Sequence, residues 1–124
     1  MTLVKILLAI LFALPASAQL VTITGTFQYP DGNVLNGKVI IRLTRSTVNN
    51  TCVSPVQVLV FQPVTVKITA GVLGTLSLYA TPCLSPSIFY TISVFDQNNT
   101  LLYTDHWNVP NQASADVTII GVGH

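Results

Sequence analysis

The chain has 124 residues, of which 50% are hydrophobic and only 7% are charged, and its formal net charge is +1. Proteins that bind nucleic acids or acidic membranes need a surface rich in basic residues, and this chain has too few to form one. Neither partner is therefore expected. The length is enough for one domain with a single hydrophobic core.

Residues 1–18 have the pattern of a secretory signal peptide. Lys5 precedes an unbroken apolar run that ends at Pro15, and Ala-Ser-Ala closes the segment. This run is shorter than the roughly 20 apolar residues that a membrane-spanning helix needs, which leaves an uncleaved anchor as the less favoured alternative. We predict cleavage before Gln19 and a β-domain over residues 19–124 that is secreted or periplasmic and is not inserted in the membrane.

Residues 21–43 contain two alternating apolar runs on either side of a turn-rich segment. Val21 and Ile23 share one face of the first run, and Gly25 within it indicates a bulge or a close backbone approach. Residues 29–37 carry Asp-Gly and Asn-Gly pairs, which are typical of turns. The pattern predicts either an opening β-hairpin or, because the connection is long, two strands that lie in opposite sheets.

Residues 56–61 are apolar at nearly every position, and Pro63 then ends the run because it has no amide hydrogen to donate. Such a run is typical of a strand covered on both faces, or of a strand at a subunit contact. If it is exposed, it favours strand addition or self-association.

The later segments also alternate with a period of two, and the chain after residue 18 shows no helical periodicity. Strands are predicted over residues 64–70, 90–94, 101–107 and 115–119, with turn signals between them. We therefore predict an all-β fold: a single Ig-like or transthyretin-like antiparallel β-sandwich of about seven to eight strands. A small closed barrel is the competing architecture.

The two cysteines, Cys52 and Cys83, are predicted to form a disulfide bond. They are an even number in an exported chain, where an oxidising environment allows the bond to persist. A redox pair or a metal site is the alternative, but it requires a close C-x-x-C spacing or neighbouring histidines.

Tyr90, Tyr103 and Trp107 are the candidate contacts for a ligand or a partner. All three lie on predicted strands, and Tyr and Trp combine a large apolar ring with a polar atom. They indicate either an apolar pocket between sheets or subunits, as in a small-ligand carrier, or ordinary core residues.

The densest polar cluster is Asp105-His106, which a secreted hydrolase would use as a general base oriented by a carboxylate. Adjacent residues of a strand point to opposite faces, so His106 is expected to be exposed and not oriented by Asp105. His124 ends the chain, and the spacing of the remaining carboxylates does not suit a metal site. We therefore expect a non-catalytic protein without a metal or cofactor.

Several segments resemble known β-sandwich families. Ile23-Thr24-Gly25, Pro30-Asp31-Gly32 and residues 37–43 (GKVIIRL) resemble the start of the carboxypeptidase regulatory-like and transthyretin-like domains. Residues 90–96 (YTISVFD) and Trp107-Asn108-Val109-Pro110 are similar to the Y-x-V-x-V-x-D strand and W-x-V-P segment of Ig-like modules in phage tail or collar proteins and in exported bacterial proteins. The resemblance implies an Ig-like sandwich used for adhesion, scaffolding or recognition, with no catalytic residues to carry over.

The chain departs from the regulatory-like pattern at residues 69–74, where the usual D-x-x-G-x-F stretch is missing. The signal peptide favours an exported bacterial module over a virion protein. The leading prediction is a structural, adhesive or protein-recognition module that contacts a protein or a cell surface, with self-association as one form of that contact. A small-ligand carrier and a phage tail-type structural module are the alternatives.

Overall fold

The computed structural model describes residues 20–121, which form an all-β fold with one short helix. The predicted signal peptide, the cleavage site before Gln19 and His124 lie outside the described residues. The strands of the described part are β1 Leu20–Thr24, β2 Gly37–Leu43, β3 Thr47–Asn50, β4 Gln57–Val60, β5 Val64–Thr69, β6 Val72–Leu73, β7 Ser77–Tyr79, β8 Leu84–Ser85, β9 Tyr90–Asp96, β10 Leu101–Trp107 and β11 Ser114–Asp116. A 3-10 turn covers Thr81–Cys83, and the helix α1 is Val117–Ile120.

The strands form three hydrogen-bonded sheets with open edges. The largest has the order β10-β9-β2-β5-β6 and is antiparallel throughout. A second sheet, β11-β1-β7, contains a parallel pair, β1 with β11, and a third has the order β4-β3-β8. Because these sheets do not close on themselves, the described fold is a sandwich. More strands are described than the seven or eight expected, because β6 and β8, segments of only two residues, each pair with a neighbouring strand and count as strands.

The hairpin interpretation of residues 21–43 is wrong. β1 pairs with β7 and β11, whereas β2 pairs with β5 and β9, so the two strands lie in different sheets. The turn signals between them are nevertheless used locally: the Tyr29 amide donates to the Asn33 carbonyl at 2.7 Å, and Gly32 takes a φ of +89°. The turn thus closes a small loop within the crossover instead of pairing the strands.

The predicted alternation of strand faces matches the burial of the side chains. Val21 and Ile23 of β1 are buried, and so are Val39 and Ile41 of β2. The inward residues of the different sheets belong to one hydrophobic cluster, which also includes Tyr90 and other residues, namely Val66, Ile68, Leu78, Ile92, Val94, Trp107 and Ala115. The fold is therefore organised around a single core between its sheets.

The predicted last strand is shorter than expected. β11 ends at Asp116, and Val117–Ile120 is a helical turn that leaves Ile119 largely exposed. The Asp116 carboxylate accepts hydrogen bonds from the Thr118 amide at 2.9 Å and from the Thr118 hydroxyl at 2.8 Å, and both lower its pKa, the amide most. An aspartate that caps the first turn in this way favours a helix over continued strand. No helix among residues 20–121 is long and apolar enough to cross a membrane.

Gly25 and Gly37 are each required by the close approach of neighbouring groups. A Cβ added to Gly37 would overlap the carbonyl oxygen of Phe95 on β9, and a Cβ added to Gly25 would overlap the side chain of Val117. The neighbour of Gly37 is backbone of a paired strand, which cannot retreat without opening the ladder. The neighbour of Gly25 is a side chain, which a smaller residue can replace.

We expect Gly25→Ala to lower the free energy of unfolding by about 1–3 kcal/mol, because the added methyl overpacks the contact with Val117. In the background of Val117→Ala the same change should cost less than half as much, since the overlapping methyl groups are gone. Urea unfolding of the four proteins of this cycle measures the difference. Gly37→Ala is the matched control, and its cost in unfolding free energy should be the same with and without Val117→Ala. An equal cost of Gly25→Ala in both backgrounds would contradict the packing described.

Candidate functional site

Two surface features stand out, a groove at the side of β10 and the open edge of β4. The groove lies between β10 and residues 26–30, the segment that follows β1, and its volume is about 390 Å³. This size falls within the roughly 300–1,000 Å³ range of small-molecule sites. Its lining includes Phe27 and Tyr29 from that segment and Tyr103, Asp105 and Trp107 from β10.

A β-bulge in β10 shapes the groove wall. The pairing of β10 with β9 shifts between Leu101 and Tyr103, so Leu102 is an extra residue in the strand. Both Leu102 and Tyr103 line the groove as a result. Bulges at sheet edges re-aim side chains in this way, because the inserted residue rotates the strand locally.

Asp105 is a buried carboxylate in the groove wall. Its side chain is 4% exposed, and Oδ1 accepts a hydrogen bond from the His106 amide at 2.8 Å. Burial, and then the negative charge of Asp105, raise the pKa of Tyr103. The groove lining therefore combines aromatic rings with one buried carboxyl side chain.

Tyr90 lies away from this groove, which corrects the prediction of one pocket shared with Tyr103 and Trp107. Although Tyr90 and Trp107 are opposite each other on paired strands, Tyr90 lines a separate cavity of about 250 Å³ beside β3 and β4. Its hydroxyl donates to the Tyr79 carbonyl at 2.8 Å, and burial raises its pKa. Tyr90 thus belongs to the core, whereas Tyr103 and Trp107 line the groove.

His106 points away from Asp105, as the strand alternation predicts. His106 is exposed and its ring lies 4.6 Å from the ring of Phe89, centroid to centroid. Asp105 Oδ1 accepts a hydrogen bond from the His106 backbone amide, and the buried Asp105 and exposed His106 side chains lie on opposite faces of β10.

The disulfide bond between Cys52 and Cys83 is confirmed. The two Cα atoms are 5.2 Å apart, and the bond joins the loop after β3 to the 3-10 turn before β8. The Thr51 amide and hydroxyl both donate to the Cys83 carbonyl, at 2.8 and 3.0 Å. Within residues 20–121, no group of three or more His, Cys, Asp or Glu side chains could hold a metal ion.

No protein-family model matches the chain, and no curated protein is significantly similar to it. The function is therefore inferred from the β4 edge.

The run at residues 56–61 forms an edge strand and is not covered on both faces. Its inward residues Leu59 and Phe61 pack on the core, whereas Val58 and Val60 are 68% and 72% exposed. β4 lies at the end of its sheet, with β3 as its paired neighbour among the described strands. One side of the strand is therefore open to another chain.

The hydrogen-bond pattern shows which groups of β4 face outward. The Phe61 amide donates to the Ser46 carbonyl at 2.9 Å, so Phe61 is a hydrogen-bonded position of the pairing with β3. In an antiparallel ladder every second residue is hydrogen-bonded to the partner strand, and the residues between them turn their backbone groups away from it. By this alternation Val58 and Val60 direct their N–H and C=O groups to the open edge. Residues 56–61 also contain no charged side chain that would block pairing.

Sequence reasoning did not place Phe27, Tyr29 or Leu102 in a site, and it considered Asp105 only as a partner of His106. Strict alternation back from Trp107 places Asp105 on the inward face, and this signal was present in the sequence. The positions of Phe27 and Tyr29 opposite β10 depend on the crossover between two sheets, for which the sequence carries no local signal.

Proposed function

We propose that this protein is an exported, non-catalytic β-sandwich module that assembles with a second copy of itself through β4. The observation that carries the proposal is the open edge of β4, where Val58 and Val60 are exposed and direct their backbone groups outward. The signal-peptide pattern of residues 1–18 and the disulfide bond support export. The resemblance to sandwich domains used in adhesion, scaffolding or recognition supports a structural role.

The geometry of β4 suits a second copy because the edge is self-complementary. In an antiparallel pair centred on Leu59, Val58 of one copy lies opposite Val60 of the other, and both positions have outward N–H and C=O groups. This register forms four backbone hydrogen bonds across a twofold axis. The valines of the two copies then lie side by side on one face of a continuous sheet and pack against each other.

Charge substitutions at the two valines test both the association and its register. The double variants Val58→Lys/Val60→Lys and Val58→Glu/Val60→Glu should each be monomeric, because like charges face each other across the axis. A mixture of the two should associate again, since each Lys then faces a Glu. Sedimentation velocity over a concentration series measures all three samples and the unmodified protein, which should associate as its concentration rises.

The matched control is Ile119→Lys, which adds the same charge at another exposed apolar residue, outside β4. This variant should associate like the unmodified protein. A strictly monomeric unmodified protein, or double-Lys and double-Glu variants that associate as strongly as the unmodified protein, would refute assembly through β4. Failure of the mixture to associate would refute the register centred on Leu59.

A further inference from the structure

Two segments of the chain, Asn49-Asn50-Thr51 and Asn98-Asn99-Thr100, have the N-x-[ST] pattern that accepts N-linked oligosaccharides in exported proteins. The pattern alone does not separate an acceptor from an ordinary turn, because asparagine and threonine are also turn residues. An acceptor needs two accessible groups, the side-chain amide of its asparagine and the hydroxyl group two residues later. The structure places these groups differently in the two segments.

The segment Asn98-Asn99-Thr100 lies in the turn that joins β9 to β10, and residues 97–100 are all exposed. Asp96 Oδ1 accepts hydrogen bonds from the backbone amides of Asn98 and Thr100, both at 2.9 Å, so the turn is held through its backbone. Among residues 20–121, no hydrogen bond engages the side-chain amide of Asn98 or the hydroxyl of Thr100. Both groups that an acceptor needs therefore face solvent.

The segment Asn49-Asn50-Thr51 is bound to its surroundings. Asn49 is exposed, but its strand β3 is paired on both sides, with β4 and with β8. Asn50 is fully buried, and its side-chain oxygen accepts from the Cys52 amide at 3.1 Å. The Thr51 hydroxyl donates to the Cys83 carbonyl at 3.0 Å, next to the disulfide bond. The hydroxyl group of this segment is thus already engaged in the folded protein.

From this difference we infer that Asn98 is a site of N-linked glycosylation and that Asn49 is not modified. The donor is an oligosaccharide joined through a diphosphate to a lipid, and the catalyst is an oligosaccharyltransferase of the export compartment. The Asn98 Nδ2 atom forms a bond to C1 of the first sugar, and the bond from C1 to the phosphate oxygen breaks. The lipid diphosphate leaves, and the proton lost from Nδ2 balances the negative charge that the diphosphate gains.

The two positions also differ in their relation to the β4 edge. Asn49 lies directly opposite Val58 in the β3–β4 pairing, and directly opposite residues of an antiparallel pair have their side chains on the same face. An oligosaccharide on Asn49 would therefore cover Val58 and oppose assembly. The turn after β9 takes no part in the pairing of β4, so an oligosaccharide on Asn98 leaves that edge open.

Mass spectrometry of the full chain, exported with its own residues 1–18 and isolated from its natural source, tests the inference. The intact mass should exceed that of the mature sequence by one oligosaccharide. Peptide-N-glycosidase should remove the added mass and leave an aspartate at position 98, which peptide sequencing identifies. The peptide that contains Asn49 should have the mass of its sequence.

Four variants made in the same source test the acceptor pattern. Asn98→Gln and Thr100→Ala should each lose the oligosaccharide completely, because each removes one group that the acceptor needs. Thr100→Ser is the matched control, since it keeps the hydroxyl and should keep the oligosaccharide. Asn49→Gln should leave the added mass unchanged. All three positions are exposed, so none of these changes removes a core contact.

The inference rests on the export proposed above, and the experiment separates the two. Protein that stays in the cytoplasm would refute both export and the modification, whereas exported protein with the mass of its sequence would refute the modification alone. An oligosaccharide on Asn49 would overturn the argument from the Thr51 hydrogen bond. Added mass that persists in Asn98→Gln would overturn the assignment to Asn98.

Discussion

Replacing Cys52 and Cys83 together by serine should lower the free energy of unfolding by about 3–4 kcal/mol. The bond closes a loop across a sequence separation of 31 residues, so its loss increases the conformational entropy of the unfolded chain. The loss should be measured by urea unfolding, with the fluorescence of Trp107 as the signal. The midpoint should fall, and the protein should still fold because the core between the sheets is unchanged.

The double alanine variant separates the two contributions to that loss. Cys83 is buried, and a serine there also buries a hydroxyl group, whereas an alanine does not. The double alanine variant should therefore lose somewhat less free energy of unfolding than the double serine variant, but most of the same amount. A loss below about 1 kcal/mol in both variants would mean that the bond contributes little, contrary to the loop-closure argument.

Trp107→Ala should destabilise the fold by about 3–5 kcal/mol, the usual cost of truncating a large buried ring. Trp107 is 2% exposed, pairs with Tyr90 across the β9–β10 ladder and forms a bridge to Gly121. Its removal leaves a cavity at the place where the sheet and the end of α1 meet. Because the variant has no tryptophan, its unfolding should be followed by circular dichroism.

His106→Ala is the matched control for the register of β10. His106 adjoins Trp107 in the chain but lies exposed on the opposite face, so its loss should change stability by no more than about 0.5 kcal/mol. A register shifted by one residue would exchange the two results, because it turns each side chain to the other face. A large cost at His106 with a small cost at Trp107 would therefore contradict the strand pairing described.

Local patterns in the sequence were sufficient for the fold class and for several individual features. Alternation in β1 and β2 identified which side chains are buried, and the two cysteines indicated the disulfide. The side-chain period of a strand is local, so it can be read from a single segment without knowing its neighbours. The same period placed His106 and Trp107 on opposite faces of β10.

The tertiary structure decided which strands pair and therefore where the candidate sites lie. β1 pairs in parallel with β11 from the other end of the chain, and β2 lies in another sheet. Backbone hydrogen-bonding groups are the same in almost every residue, so the partner of a strand depends on packing across the whole core. The groove between Tyr29 and Tyr103, and the unpaired edge at Val58 and Val60, exist only once that pairing is set.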